Sequence, residues 1–553
     1  MNNPIIIRKG LKLGELDAEA DQELLSECFI DTGELSRLMS VSDPAAIVLG
    51  RTGSGKSALL LQVARTAEHS AFLNPNDISV RFLEHSNIIQ FLSELGINLD
   101  LFYRVLWRHI LIVELLRLRY DLKSELDNKN FLKRLYQVID RDPVKEKAFT
   151  YFSEWGDKFW LETDEQLREL TKKFASEVKS KLGAKHQAVD VSLEGARSLS
   201  NEQRTEVTNR ASQVVSAIQI KRLNEVFDLL AEEVFSDKQK KYYVLIDALD
   251  ENWAETETRV RFIRALIEEL KSFRKLEQVK IIPAMRRDLL DFVFDKTRDA
   301  GFQEEKYEAY LLRLRWSKAD LKTLLERRIN EVFRRQYTRD DIRFSDLFPS
   351  PKKGGGITAD EYIVERTLLR PRDILQFANE CFLIAADRER VSWRTMFAAE
   401  AIYSSKRIKS LREEWDENYP CLEEFIEVLR RLPSPFTRSL ISGDRLESVL
   451  MTLSECGKPD PCAKVAIAHY QPGQNSSTEA EVVSTILQAL YHIGAIGIKI
   501  SSLETFIWSH VDQPQVSKSE IKRTNQIKVH KMLHQTLEIR PLDHEFSSSG
   551  KET

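Results

Sequence analysis

Gly50-Arg51-Thr52-Gly53-Ser54-Gly55-Lys56-Ser57 fits the spacing G-x-x-x-x-G-K-[ST], and each fixed residue type in it has a phosphate-chemistry reason. Glycines let successive backbone N–H groups turn inward around a β-phosphate, and the dipole of a following helix adds favourable potential. A lysine at position 56 then reaches the β- and γ-phosphates, and the Ser57 hydroxyl sits on a magnesium ion. The predicted cradle is Gly50, Arg51, Thr52, Gly53, Ser54, Gly55, Lys56, Ser57 and Ala58. A glycine-rich turn that binds nothing is the bland alternative, and the strand and helix that flank this motif argue against it.

Such a site needs acids. The run Tyr242-Tyr243-Val244-Leu245-Ile246-Asp247 puts a carboxylate at the carboxyl end of a buried strand, where parallel sheets bind ligands and where magnesium needs an anionic partner. Asp247 is therefore the second predicted metal contact, beside Ser57. Glu251 leads as the group that orients and deprotonates an attacking water, with Asp250 the close alternative. Asp250-Glu251-Asn252 also reads as an N-cap and acidic first turn of a helix. Arg286 and Arg287 follow a third strand, where a residue sensing the γ-phosphate would lie, although charges at a helix start fit equally. Arg370 and Arg372 flank Pro371 at another helix start. They are candidate arginine fingers, in cis or in trans, or surface arginines around a proline at N1. No Asn-Lys-x-Asp sequence follows at a plausible position, which favours ATP over GTP.

The elements needed to position these groups are legible around them. Residues 45–49, 242–246 and 279–284 are short apolar runs of the kind buried in a parallel sheet. Residues 58–64 continue the phosphate loop as a helix. Val260, Ile263, Leu266, Ile267, Leu270 and Phe273 recur at helical spacing between the second and third strands. The predicted class is α/β: a P-loop NTPase parallel sheet with a large helical insertion, a helical lid and a C-terminal winged-helix-like domain. The boundaries are 1–40 for an N-terminal lead-in, 41–300 for the core with its insertion at about 87–235, 301–420 for the lid and 421–545 for the C-terminal domain. An exposed loop is expected at 349–356, and residues 546–553 read as a disordered tail.

A chain of 553 residues with 42% hydrophobic and 30% charged residues is globular and long enough for several cores. A net charge of -4 gives no global pull toward nucleic acid. Any such contact is local, and residues 516–540 offer one: Lys518, Lys522, Arg523, Lys528, Lys531 and Arg540 against Glu520 and Glu538, with His530 and His534 nearby. A solvated charged face is the commoner explanation of such a run. Cys28, Cys381, Cys421, Cys456 and Cys462 lack the spacing of a zinc site or the density of a disulfide scaffold, which fits a reducing cytoplasm. The loop between Cys456 and Cys462 is not a metal knuckle. No stretch approaches about 18 apolar residues, so neither a membrane span nor membrane partners are expected.

On Gly50 to Ala58 and Asp247-Ala248-Leu249-Asp250-Glu251 the sequence resembles the STAND class of signalling ATPases, in its NACHT-like style. With Trp316 and Leu369-Arg370-Pro371-Arg372-Asp373-Ile374 it is also similar to bacterial P-loop ATPases found beside antiviral genes, over roughly residues 29–385. The resemblance implies that nucleotide domain, lid and winged helix close around bound nucleotide, with exchange or hydrolysis releasing an assembly-competent form. It implies ATP and Mg2+ as ligands, a homo-oligomer, and a separately encoded effector, plausible in antiviral defence. A DNA-binding, initiator- or loader-like ATPase and a nucleotide-locked scaffold with little turnover are the alternative readings.

Overall fold

The computed structural model of the chain describes residues 5–75, 78, 83, 85–122, 129–130, 133, 163–183, 192–217, 226–251, 253–298, 303–336, 341–351, 356–471, 476–501 and 503–541. The expected tail at 546–553, Asn252, most of the loop at 349–356 and part of the insertion lie outside these residues. Asp250 and Glu251, also read as a helix cap and first turn, precede a helix that starts at Thr256 with Glu255 as its N-cap. The chain divides into two units, one of Asp31–Arg51 and Gly55–Leu314, the other of Met1–Ile30, Thr52–Ser54 and Arg315–Thr553.

The first unit is built on a five-stranded sheet with strands β1 (Ile47–Leu49), β2 (His69–Leu73), β3 (Tyr242–Ile246), β4 (Val279–Met285) and β5 (Leu311–Arg313), ordered β2-β3-β4-β1-β5. Every pairing is parallel. β1, β3 and β4 are buried at every position, as central parallel strands covered on both faces must be. The chain leaves β1 toward β2 at one edge, whereas β4 leads to β5 at the other. The strand order therefore reverses beside β1, and ligands of such sheets bind at the carboxyl ends of the strands at that point.

Among the described helices that pack on this sheet are Thr256–Phe273 and Asp100–Tyr120. Helix Thr256–Phe273 shows the expected apolar stripe, with Val260, Ile263, Leu266, Ile267, Leu270 and Phe273 buried. Helix Asp100–Tyr120 is buried almost continuously from Phe102 to Leu116 and packs on both that helix and β3. A helix covered on all sides is a core element, not an amphipathic surface one. Its polar residues are satisfied internally: Arg104 Nε and Arg108 Nε lie 2.9 and 2.6 Å from the two oxygens of fully buried Glu269, and Trp107 Nε1 donates to Phe262 O at 2.8 Å.

In the second unit one apolar cluster runs from Ile7, Leu11 and Leu13 through helices Lys318–Gln336, Pro371–Ile384 and Trp393–Trp415 to the C-terminal helices. Residues expected as separate lid and C-terminal domains thus share a core. The C-terminal part holds helices Asp444–Glu455, Pro461–Tyr470 and Glu479–His492, then an antiparallel pair of β7 (Ile496–Lys499) and β8 (Gln526–Val529). β6 (Pro433–Ser434) pairs in parallel with β9 (Arg540–Pro541). Helix Glu479–His492 opens with a capping box, in which Thr478 Oγ1 accepts from Glu481 N and the Glu481 carboxylate accepts from Thr478 N, satisfying two otherwise orphan donors.

Cys421 and Cys456 form a disulfide, while Cys28, Cys381 and Cys462 are free and buried. This differs from the reading of scattered cysteines without a disulfide framework. The partners are 35 residues apart in sequence, so packing of their helices, not local spacing, brings them together. No described helix is long and apolar enough to cross a membrane.

Candidate nucleotide site

The loop of residues 50–57 joins β1 to helix Lys56–Thr66. Gly50 N donates to Met285 O at 3.3 Å, so the loop starts from the sheet ladder. Gly53 and Gly55 have φ of 75° and 94°, a region that costs a residue with a Cβ and that glycine enters freely. Lys56, the first residue of the helix, is buried at 8% exposure. Its ammonium lies 3.5 Å from Asp250 Oδ2 and 3.4 Å from Gly50 O. Ser57 and Ala58 follow, both half-buried.

Asp247 stands at the end of β3, one strand removed from β1, and its Oδ1 accepts the amide of Ala248 at 2.9 Å. Ala248 has a φ of 57°, and this left-handed residue turns the chain so that Asp250, three residues past Asp247, faces Lys56. The turn is pinned from below. Glu251 N donates to Ala248 O at 3.2 Å, Trp253 Nε1 donates to Leu249 O at 3.2 Å, and buried Arg259 donates through Nη1 to Glu251 O at 3.1 Å. Between the two candidate acids, the fold brings Asp250 to the lysine and leaves Glu251 exposed.

Arg286 is folded back onto Asp288, with Nε 3.0 Å from Oδ1, and Arg287 lies 3.8 Å from Asp291. Burial pushes the Asp291 carboxyl up to about 6, against the pull of Arg287. Both arginines are thus engaged around the start of helix Arg287–Lys296.

In the second unit the short turn Thr52–Ser54 is held by its carbonyl groups. Arg370 Nη1 donates to Thr52 O at 2.9 Å, Arg372 N to Gly53 O at 3.3 Å, and Trp316 Nε1 to Ser54 O at 2.8 Å. The Arg370 guanidinium is also paired with Glu414 at 2.8 Å, both side chains being 4% exposed. Arg372 sends Nε to Leu16 O at 3.0 Å. These two arginines, candidates for phosphate or inter-subunit contacts, hold backbone carbonyl groups here. Gly53 leaves no room beside Arg372: a Cβ there would come within 2.8 Å of Arg372 Cβ. Trp316 entered the sequence reading only through the resemblance, with no role assigned, and Glu414 not at all, because each acts through a fold contact with no local sequence pattern.

The donor set fits a triphosphate with magnesium. The acids and the Ser57 hydroxyl are hard oxygen ligands of the kind Mg2+ takes. The Lys56 ammonium is held by an acid and a carbonyl, which are anionic and dipolar partners a phosphate can replace. Ser54 Oγ is buried without a hydrogen-bond partner, an unusual cost in a folded chain.

The C-terminal basic run is not a continuous patch. Lys518, Lys522, Arg523 and Arg540 are exposed, but Lys531 is paired with Glu365 at 2.7 Å. His530 accepts the Met532 amide through Nδ1, and His534 Nε2 lies 3.1 Å from Val529 O. Burial depresses both imidazoles, to about 3 and about 4, so they are neutral at physiological pH and add no charge to the run.

Two comparisons bear on the chain. It is 22% identical over 522 residues to the "Putative transposon gamma-delta 80.3 kDa protein" of Escherichia coli (strain K12), an alignment covering 91% of this chain and 64% of that protein. The chain thus spans less than two-thirds of the length of this relative. Residues 319–412, which include Arg370 and Arg372 but stop short of Glu414, match the FunZ-associated C-terminal helical domain.

Proposed function

We propose that this chain is a P-loop ATPase that binds ATP with Mg2+ at residues 50–58 and hydrolyses it to control assembly with a separately encoded effector. The carrying observation is the meeting of Lys56 with Asp250, 3.5 Å apart, at the carboxyl ends of a parallel sheet whose strand order reverses beside β1. Lys56 holds the β- and γ-phosphates, Ser57 and Asp247 complete the magnesium shell, and Asp250 or Glu251 orients the attacking water. The resemblance to STAND ATPases supports a switch of this kind, with a homo-oligomer as its active form and antiviral defence as its setting.

ATP turnover and particle mass, measured together for wild type, Lys56→Ala and Glu251→Gln, test this reading. Turnover lost in Lys56→Ala, with an ATP-dependent rise in mass for wild type, supports the switch. Lys56→Ala matching wild type in both measurements refutes it. Nucleotide-dependent mass with negligible wild-type turnover would select the scaffold reading.

A second reading, a DNA-remodelling ATPase whose C-terminal part is winged-helix-like, is favoured by the exposed Lys518, Lys522, Arg523 and Arg540 and by the transposon named in the relative's title. It requires duplex DNA binding that weakens steeply with salt and is lost in Lys518→Ala/Lys522→Ala/Arg523→Ala.

A further inference from the structure

We infer that Trp316, Arg370 and the backbone of Arg372 form a carbonyl clamp that positions the phosphate-binding amides of the turn Thr52–Ser54. This rests on the nucleotide reading above and names residues that set its affinity. Three successive carbonyl groups, of Thr52, Gly53 and Ser54, each accept a hydrogen bond from outside the turn. The described peptide bonds here are trans, and in a trans peptide each C=O and the N–H of the next residue point to opposite sides. Each held carbonyl therefore turns the amide of the next residue, Gly53, Ser54 or Gly55, away from the donor that holds it. Successive amides facing one way form an anion-binding nest.

The clamp is stiff for identifiable reasons. Arg370 is fixed by its buried pairing with Glu414, so its reach to Thr52 O is not a surface excursion. Its Nε and Nη2 are buried without hydrogen-bond partners, a desolvation cost that the pairing with Glu414 and the bond to Thr52 O must offset. Pro371 starts the helix that follows Arg370 and fixes its own φ, which carries the Arg372 amide to Gly53 O. Gly53 is required twice, by its positive φ and by the side chain of Arg372 against its α-carbon. Trp316 supplies the third donor from an indole that has no acceptor of its own. None of the three touches the reacting atoms. They are positioning residues, and their effect falls on phosphate binding equally before and during the reaction.

Trp316→Phe keeps a ring and deletes the N–H. With the fold intact by circular dichroism and thermal melting, we expect KM for ATP to rise about five-fold, the equivalent of one neutral hydrogen bond, with kcat within two-fold. A merely structural role would lower the active fraction, and so kcat, at unchanged KM. Amide hydrogen exchange over residues 50–57 of the nucleotide-free protein gives a second readout, with several-fold faster exchange expected in the variant. Unchanged KM together with unchanged exchange overturns the clamp. If wild type binds no ATP, the nucleotide reading fails by itself, and the exchange measurement alone decides: faster exchange upholds the clamp, unchanged exchange refutes it.

Discussion

On the proposed nucleotide reading, an incoming γ-phosphate would compete with Asp250 for the Lys56 ammonium, and removing the charge at position 250 is expected to tighten ATP binding while impairing turnover. The pair lies 3.5 Å apart, with side chains 9% and 19% exposed. At that distance and an effective dielectric of about 20, the gross attraction is about 5 kcal/mol. Desolvation and competing water reduce the net worth of such a pair to about 1–2 kcal/mol. If ATP displaces Asp250 to engage Lys56, Asp250→Asn is expected to return that energy to binding, about 5- to 30-fold in Kd. Equilibrium binding of a fluorescent ATP analogue by anisotropy, with Mg2+ and again with EDTA, measures it. The EDTA series separates the lysine competition from any loss of magnesium coordination. A folded Asp250→Asn protein that binds with unchanged or weaker affinity in EDTA refutes the competition. Retained turnover in this variant, with turnover lost in Glu251→Gln, would assign the water-orienting role to Glu251.

Gly53→Ala places a Cβ 2.8 Å from that of Arg372 at a φ of 75°, so a loss of about 1–3 kcal/mol is expected in urea unfolding. Acid should destabilise the C-terminal part, because His530 and His534 titrate at about 3 and about 4 in the fold against about 6.5 unfolded. Their neutral forms stabilise the fold fully above pH 6.5, and that contribution is lost as pH falls toward 4 and 3. At pH 5 each costs about 2 kcal/mol, which urea titrations at pH 7 and pH 5 would detect. The disulfide leaves three thiols, so alkylation in denaturant without reductant should modify three cysteines by mass spectrometry, and five after reduction.

Elements that carry their own periodicity or apolar run were readable in advance. β3 spans Tyr242–Ile246 as the apolar run indicates, and the apolar stripe from Val260 to Phe273 lies buried along helix Thr256–Phe273. β2 and β5 were not foreseen. Residues His69–Leu73 have only Leu73 buried, and β5 is three residues long, so neither carries a pattern until neighbouring strands define it. The same distinction divides the site. Lys56 follows from the spacing of glycines around it, but its meeting with Asp250 depends on the left-handed turn at Ala248, which is not a glycine and gives no warning. Arg370 stood out beside Pro371, yet its acceptor lies 318 residues away. Spacing reports local geometry, and contacts of that sequence separation are set only by tertiary packing.

Helix Asp100–Tyr120 has an implication for how such a chain changes over evolutionary time. An insertion between two motifs is usually regarded as an ornament, free to shrink, vanish or be exchanged. This helix buries residues on every face, including Trp107 and Arg108, which shares Glu269 with the half-exposed Arg104. A lineage losing it in one step would uncover an apolar surface on helix Thr256–Phe273 and strand a buried carboxylate without its cations. Change in this region must therefore be concerted: Glu269, Phe262 and the helix are expected to be inherited or replaced together.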